Sequence, residues 1–281
     1  MAVTVHALVV GAISRDLDAS EPSVEGRPGG VVHHAGAALA RLGAHARVVT
    51  RVRPDDADAL LATLHAEGVQ VRALPSRETT TYRNDYSRAS DLHELLATSD
   101  AIGPDDVPQA WRRADVVHLG PLHRADLDPA LPGALSGRIG VDVQGLVRTR
   151  AGETPSPYPH LDELLENVEV VQASASELDA LLLGKTLEQF ARRHRIDELI
   201  VTRGARGATL VTGGRRLEIA ARPVEGNFRV GAGDVFLASH LLFRALGLEP
   251  GAAARGAAEV SAAKIAEGEV PKGMRPEAVA P

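Results

Sequence analysis

Residues 228–242 read FRVGAGDVFLASHLL. Two glycines bracket one alanine immediately before an acid, where the chain turns into an apolar helix. A helix start ordinarily uses a capping side chain; Gly231-Ala232-Gly233 supplies none and is costly to order. If the turn opens the helix that follows, the N–H groups of Gly231, Ala232 and Gly233 and the helix dipole converge on one spot, and an anion belongs there. Asp234 would repel a resting anion at that spot, an arrangement that does little for stability. It makes chemical sense if the carboxylate takes a proton from a hydroxyl that attacks a phosphoryl group held at the turn. The plainer reading is a glycine-rich turn whose acid stabilises the helix N-terminus.

Working outward, short β-branched runs alternate with helical patterns. HALVVGAI, ARVVTRV, DVVHLG, RIGVDVQ, VEVVQAS, ELIVTRG and ATLVTG have the length of strands buried on both faces. Between them, GAALARLG, DADALLATLHAEG, ELDALLLG and TLEQFARRH carry apolar residues at helical spacing. The alternation predicts an α/β fold, one domain over 1–281, with a mostly parallel central sheet and helices on both faces. Ligands of such sheets bind beyond the carboxyl ends of the strands. Two polar stretches, residues 15–30 and 75–91, break the rhythm, and the second contains TTTY. They are expected to form a small β lid over the site, or else two surface loops. The alanine-rich segment 251–268 reads as a packed helix.

Composition narrows the function classes. With 281 residues and 44% hydrophobic content the chain can bury a large core. A net charge of −6 and the lack of a basic stripe argue against nucleic acid as partner. Cysteine is absent, which removes disulfides, thiolate zinc sites and a catalytic thiol. The opening MAVTVHALVVGAI lacks a basic lead-in and reads as a buried strand; no apolar run approaches membrane-spanning length. A cytoplasmic protein with a small-molecule ligand is the expectation.

Three motifs mislead. LLLGKT at 181–186 has Asp179 where a phosphate loop needs its first glycine, so Gly184 is read as a helix stop. GAGDVF has Phe236 in place of the third glycine of a dinucleotide fingerprint. His33 and His34 lack the second half of any metal pattern.

GAGDVF resembles the GAGDxF signature of the ribokinase-like, PfkB carbohydrate kinase family, and the resemblance runs in matching order over nearly the whole chain. It implies that Asp234 is the catalytic base and that the backbone of Gly231, Ala232 and Gly233 is the anion hole. VVGAISRD matches the family's early G-x-x-x-x-D, which makes Asp16 a hydroxyl-binding acid. GGVVHHAGAALARLGA resembles the second signature, with Gly29 and Gly30 admitting substrate to the backbone and His34 in the place of an asparagine. VTRGARG is similar to the T-x-G-x-x-G segment on the nucleotide side, carried by Thr202, Gly204 and Gly207. SASE stands where the family has N-x-x-E, giving Glu177 the role of organising magnesium-bound water. The implied activity is ATP- and Mg2+-dependent phosphoryl transfer to a hydroxyl of a small sugar, polyol or nucleoside, with Arg229 adding charge at the phosphoryl group or standing in solvent. A homodimer through the lid is a further expectation.

The departures lie at His34, at Ser174 in SASE, at Phe228-Arg229-Val230 before the signature, and at Arg53-Pro54-Asp55 in place of G-x-D. They leave open a second reading, a ligand-binding or regulatory protein of this fold whose catalysis has decayed. VDVQGLVR at 141–148 is similar to the inositol-kinase subset, with Gln144 and Arg148 at the strand end. If His34 touches the acceptor, binding should change as its imidazole titrates, ordinarily near ~6.5.

Overall fold

In the computed structural model, which describes residues 4–19, 26–85, 92–147, 158–226 and 228–274, the buried runs line up as one large sheet. In chain order the strands are β1 (His6–Gly11), β2 (Ser14–Asp18), β3 (Arg27–Gly29), β4 (His45–Val52), β5 (Gln70–Pro75), β6 (Thr80–Asp85), β7 (Leu92–Ala97), β8 (Arg113–Gly120), β9 (Ser136–Asp142), β10 (Val170–Ser174), β11 (Glu198–Thr202), β12 (Ala208–Thr212) and β13 (Arg215–Ile219). The helices are α1 (Val31–Arg41), α2 (Pro54–Ala66), α3 (Gln144–Val147), α4 (Leu161–Leu164), α5 (Ala175–Leu182), α6 (Leu187–His194), α7 (Ala232–Ala245) and α8 (Pro250–Glu267).

The large sheet has the order β13-β12-β11-β10-β9-β8-β1-β4-β5. From β5 to β11 every neighbouring pair is parallel, while β12 and β13 add an antiparallel edge. Alternation along β1 shows why the sheet has two covers. Ala7 and Val9 face the core under α1, α2, α7 and α8, and Leu8 and Val10 face the core under α3 to α6. From β1 the chain winds one way to β4 and β5 and the other way through β8 to β11, so the strand order reverses between β1 and β8, the kind of point at which such sheets bind ligands beyond the carboxyl ends.

A second sheet, ordered β3-β2-β6-β7, stands on the loops after β1 and β5. β2 pairs with β3 antiparallel and with β6 parallel, and β6 pairs with β7 antiparallel. Both polar stretches thus contribute strands; residues 20–25 and 86–91 of them lie outside the described residues, as does Arg148. β5 escapes the sequence reading because, as an edge strand, it buries little besides Leu74. LLLGKT behaves as a boundary: α5 stops at Leu182, Leu183 and Gly184 are left-handed, and Thr186 caps α6 by accepting from the Gln189 amide. No described helix is long and apolar enough to cross a membrane.

Candidate active site

The GAG turn opens α7 as the sequence suggests, with Gly231 at the N-cap and φ of 76°. Only glycine is comfortable there, and for a second reason: a Cβ on Gly231 would lie 2.2 Å from the His34 ring. The amide of Ala232 is engaged inside the turn, donating to the Arg229 carbonyl at 3.1 Å. The amide of Gly233 finds no acceptor among the described residues. The expected hole of three amides therefore has one of them occupied in this conformation. Helix α8 braces the turn from behind. Ser261 Oγ donates to the Ala232 carbonyl at 2.9 Å, and Lys264 Nζ donates to the carbonyls of Phe228, at 2.7 Å, and Val230.

Asp234 is 6% exposed and accepts from Gln144 Nε2 at 3.1 Å. Beneath it lies Asp142, at the end of β9, which accepts from the Gln144 amide at 2.9 Å and from Gln172 Nε2 at 3.0 Å. The same Gln172 amide group donates to the Gly233 carbonyl at 2.9 Å, tying β10 to the turn. Burial first, then the charges of Glu177 and Asp234, push Asp142 well above the ordinary carboxylate range. Sequence reading missed Asp142 and Gln172. The available signal was polar residues at the carboxyl ends of runs otherwise buried on both faces. Glu177 closes the capping box of α5, accepting from the Ser174 amide at 2.8 Å. Ser174 is therefore a competent N-cap. Among the described residues no three His, Asp or Glu side chains are arranged to hold a metal ion.

The second group of expected residues gathers where the small sheet meets α1. Ser14 Oγ donates to Asp16 Oδ1 at 2.7 Å, and a Cβ on Gly29 would lie 2.2 Å from Asp16 Oδ2. Gly30 caps α1 with φ of 84°, so close that a Cβ would sit 2.5 Å from the Ala12 carbonyl oxygen. His34, one turn into α1, reaches from this group to Gly231 and joins the two halves of the site. Its Nε2 is buried without a partner among the described residues. Burial, then neighbouring His33, then Lys264 hold the His34 pKa well below 6.5, so the titration expected near neutrality is displaced to acid.

Thr202, Gly204 and Gly207 lie on the far side of the turn, along a cleft of about 570 Å³ that also contains Arg229, Ala232 and Gly233. Ala258, Ala262 and Ile265 of α8 and Val224 give that cleft an apolar wall. Arg229 is exposed at its edge and has no ion-pair partner among the described residues.

The family described as pfkB family carbohydrate kinase matches residues 5–274. A fructokinase of Escherichia coli is 27% identical over 252 residues, covering 78% of this chain and 79% of that protein. The fold is that of a pyrophosphate-dependent kinase in the ribokinase family, solved with a pyrophosphate analog and myo-inositol, at a TM-score of 0.80 and 23% identity over 97% of this chain and 98% of the other. Ribokinase from Thermotoga maritima superposes at a TM-score of 0.73 and 17% identity, over 96% and 97% of the two chains.

Proposed function

From the membership of this chain in the pfkB family of carbohydrate kinases, we propose that it transfers the terminal phosphoryl group of ATP to a hydroxyl of a small sugar or polyol. The observation that carries the reading is the position of the GAG turn. Its Gly233 amide stands open beside the buried Asp234 carboxylate, and the same turn forms part of the apolar cleft. The cleft suits the purine and ribose of a nucleotide, with Thr202, Gly204 and Gly207 at its wall.

In the reaction, Asp234 takes the proton of the attacking hydroxyl while the acceptor oxygen forms a bond to the γ-phosphorus. The bond from that phosphorus to the β–γ bridging oxygen breaks, and ADP leaves. Charge on the transferring oxygens falls on the amide of Gly233, the positive end of α7 and the Arg229 guanidinium. The Gln144 amide orients Asp234. The raised pKa of Asp142 keeps a proton there, which relieves repulsion beneath the base. Asp16, with the backbone at Gly29 and Gly30, holds the acceptor hydroxyls, and the unpartnered His34 Nε2 supports a contact from that imidazole. Among the described residues no cage of carboxylates and imidazoles is arranged for a metal ion, so a magnesium ion would take most of its ligands from water and the donor phosphates, the water shell resting on Glu177. When bound it neutralises charge on those phosphates.

A second donor, pyrophosphate, is favoured by the likeness to the pyrophosphate-dependent kinase. Phosphoryl transfer from ATP or from pyrophosphate to fructose, ribose and myo-inositol, followed with purified protein, tests the reading. Turnover with ATP is expected, and Asp234→Asn is expected to lower kcat by on the order of 10² to 10⁴ while retaining donor affinity. Full turnover in that variant would remove Asp234 as base. Donor binding without transfer to any of the three would return the protein to the decayed class. A homodimer through the small sheet, whose outer strands β3 and β7 are edges, is part of the same proposal; sedimentation velocity decides it.

A further inference from the structure

Lys264 lies in the last turn of α8 and is 5% exposed. A buried ammonium is costly unless each of its N–H groups has a partner. Here the partners are two main-chain carbonyls of one short loop, those of Phe228 and Val230, immediately ahead of the Gly231 turn. No carboxylate stands within ion-pair distance of Nζ among the described residues, although the charge of Asp234 acts on it from nearby. Converging carbonyl oxygens around a compact buried cation form the kind of site that otherwise binds a free monovalent ion. Burial depresses the lysine to about 8, so it remains a cation at neutral pH.

We infer that Lys264 is a tethered cation, a positioning residue whose charge holds the 228–232 loop in the form that presents the Gly233 amide. It follows that this chain needs no dissolved monovalent ion at that loop. The inference rests on the turn being the phosphoryl site, and it concerns how that turn is held. Ser261, bonded to the Ala232 carbonyl two residues beyond Val230, supplies the neutral half of the brace.

The test compares the protein in potassium chloride and in choline chloride, whose cation is too large for two carbonyls. Hydrogen exchange of the peptide spanning the turn needs no substrate, so it decides the inference even if no acceptor is ever found. The wild type should exchange at the same rate in both salts. In choline, Lys264→Met should exchange roughly tenfold faster, as expected for a lost charge-assisted hydrogen bond, and potassium, which needs only the space left by Nζ, should restore protection. Lys264→Arg should stay protected in both salts. Lys264→Gln keeps a donor and loses the charge, so it should behave as Lys264→Met does, and it serves if the methionine variant does not fold. Wild-type protection that depends on potassium would overturn the inference. So would a glutamine variant as protected as wild type in choline, or variants that potassium does not restore. Turnover with the acceptor found by the panel should follow the same pattern in kcat with little change in acceptor KM. Absence of turnover in the wild type would strike the kinase reading alone.

Discussion

Gly231 and Gly233 are equivalent in the sequence motif and unequal in the structure. A Cβ on Gly231 would strike the His34 ring, and the residue sits at φ of 76°; a Cβ on Gly233 would meet Gln172 Nε2 at an ordinary 3.4 Å. Gly231→Ala should therefore lower both thermal stability and turnover, by at least the ~1 kcal/mol of a left-handed non-glycine residue, whereas Gly233→Ala should fold normally. Melting curves of the two variants check this, and equal losses would contradict it. Asp142 makes a pH prediction. Its folded pKa is raised from 3.8 to about 8, so the folded protein holds an extra proton in that window. The associated stability is complete below 3.8 and is lost as pH rises through about 8. Asp142→Asn removes the dependence, so its melting temperature relative to wild type should climb with pH across the window; parallel curves would refute the assignment. At this scale the sequence was legible where backbone chemistry is written as glycine, and illegible where a glutamine or an acid acquires meaning from burial. Lys264 is one of three lysines in a chain of 31 basic residues. That rarity was the one visible hint.

The elements were legible where periodicity is strong. The runs behind β1, β4, β8 and β10, and the patterns behind α2, α6 and α7, stand where expected. The antiparallel β12–β13 edge was not foreseen, because RRLEI is largely exposed and alternates little. Nor was the junction at the opposite end of β11 from Thr202. There Glu198, 1% exposed, receives the Arg244 Nε at 2.8 Å and the Arg138 Nη1 at 3.2 Å and lies 2.5 Å from His240 Nε2, joining β9, β11 and α7. Burial alone would raise Glu198, but the hydrogen bond and charge of His240, with Arg244, override it and hold it below the ordinary range. A depressed carboxylate contributes stability above its unfolded pKa and loses it on acidification through the folded one. Glu198→Gln should cost about 3–5 kcal/mol, the usual penalty for breaking a buried pair. Denaturant unfolding at neutral pH measures it, and the difference from wild type should shrink in acid. Donor affinity should be unaffected, since the cleft lies at the other end of the strand.

At the scale of the molecule, the parallel order of β5 to β11 places every carboxyl end on one side, and the small sheet stands over that side. The proposal that this sheet is a lid predicts slower hydrogen exchange in β2 and β6 when acceptor and donor are both bound than with either alone. Unchanged exchange would leave it a fixed wall. The parallel sheet was readable because strands buried on both faces are spelled as unbroken apolar runs; the small sheet was only half readable, its strands being polar and short and its central pair, β2 with β6, joining Ser14 to Thr80 from distant parts of the chain. The proposed acceptor residues Asp16, Gly29, Gly30 and His34 all precede residue 35, while the cleft draws its walls from Thr202 to Ile265. On that proposal the two recognition tasks are encoded far apart along the chain and meet where His34 touches Gly231. With the sites so divided, mutation or recombination would revise what is phosphorylated without disturbing what donates the phosphate, and a lineage built on this plan would diversify its diet one segment at a time.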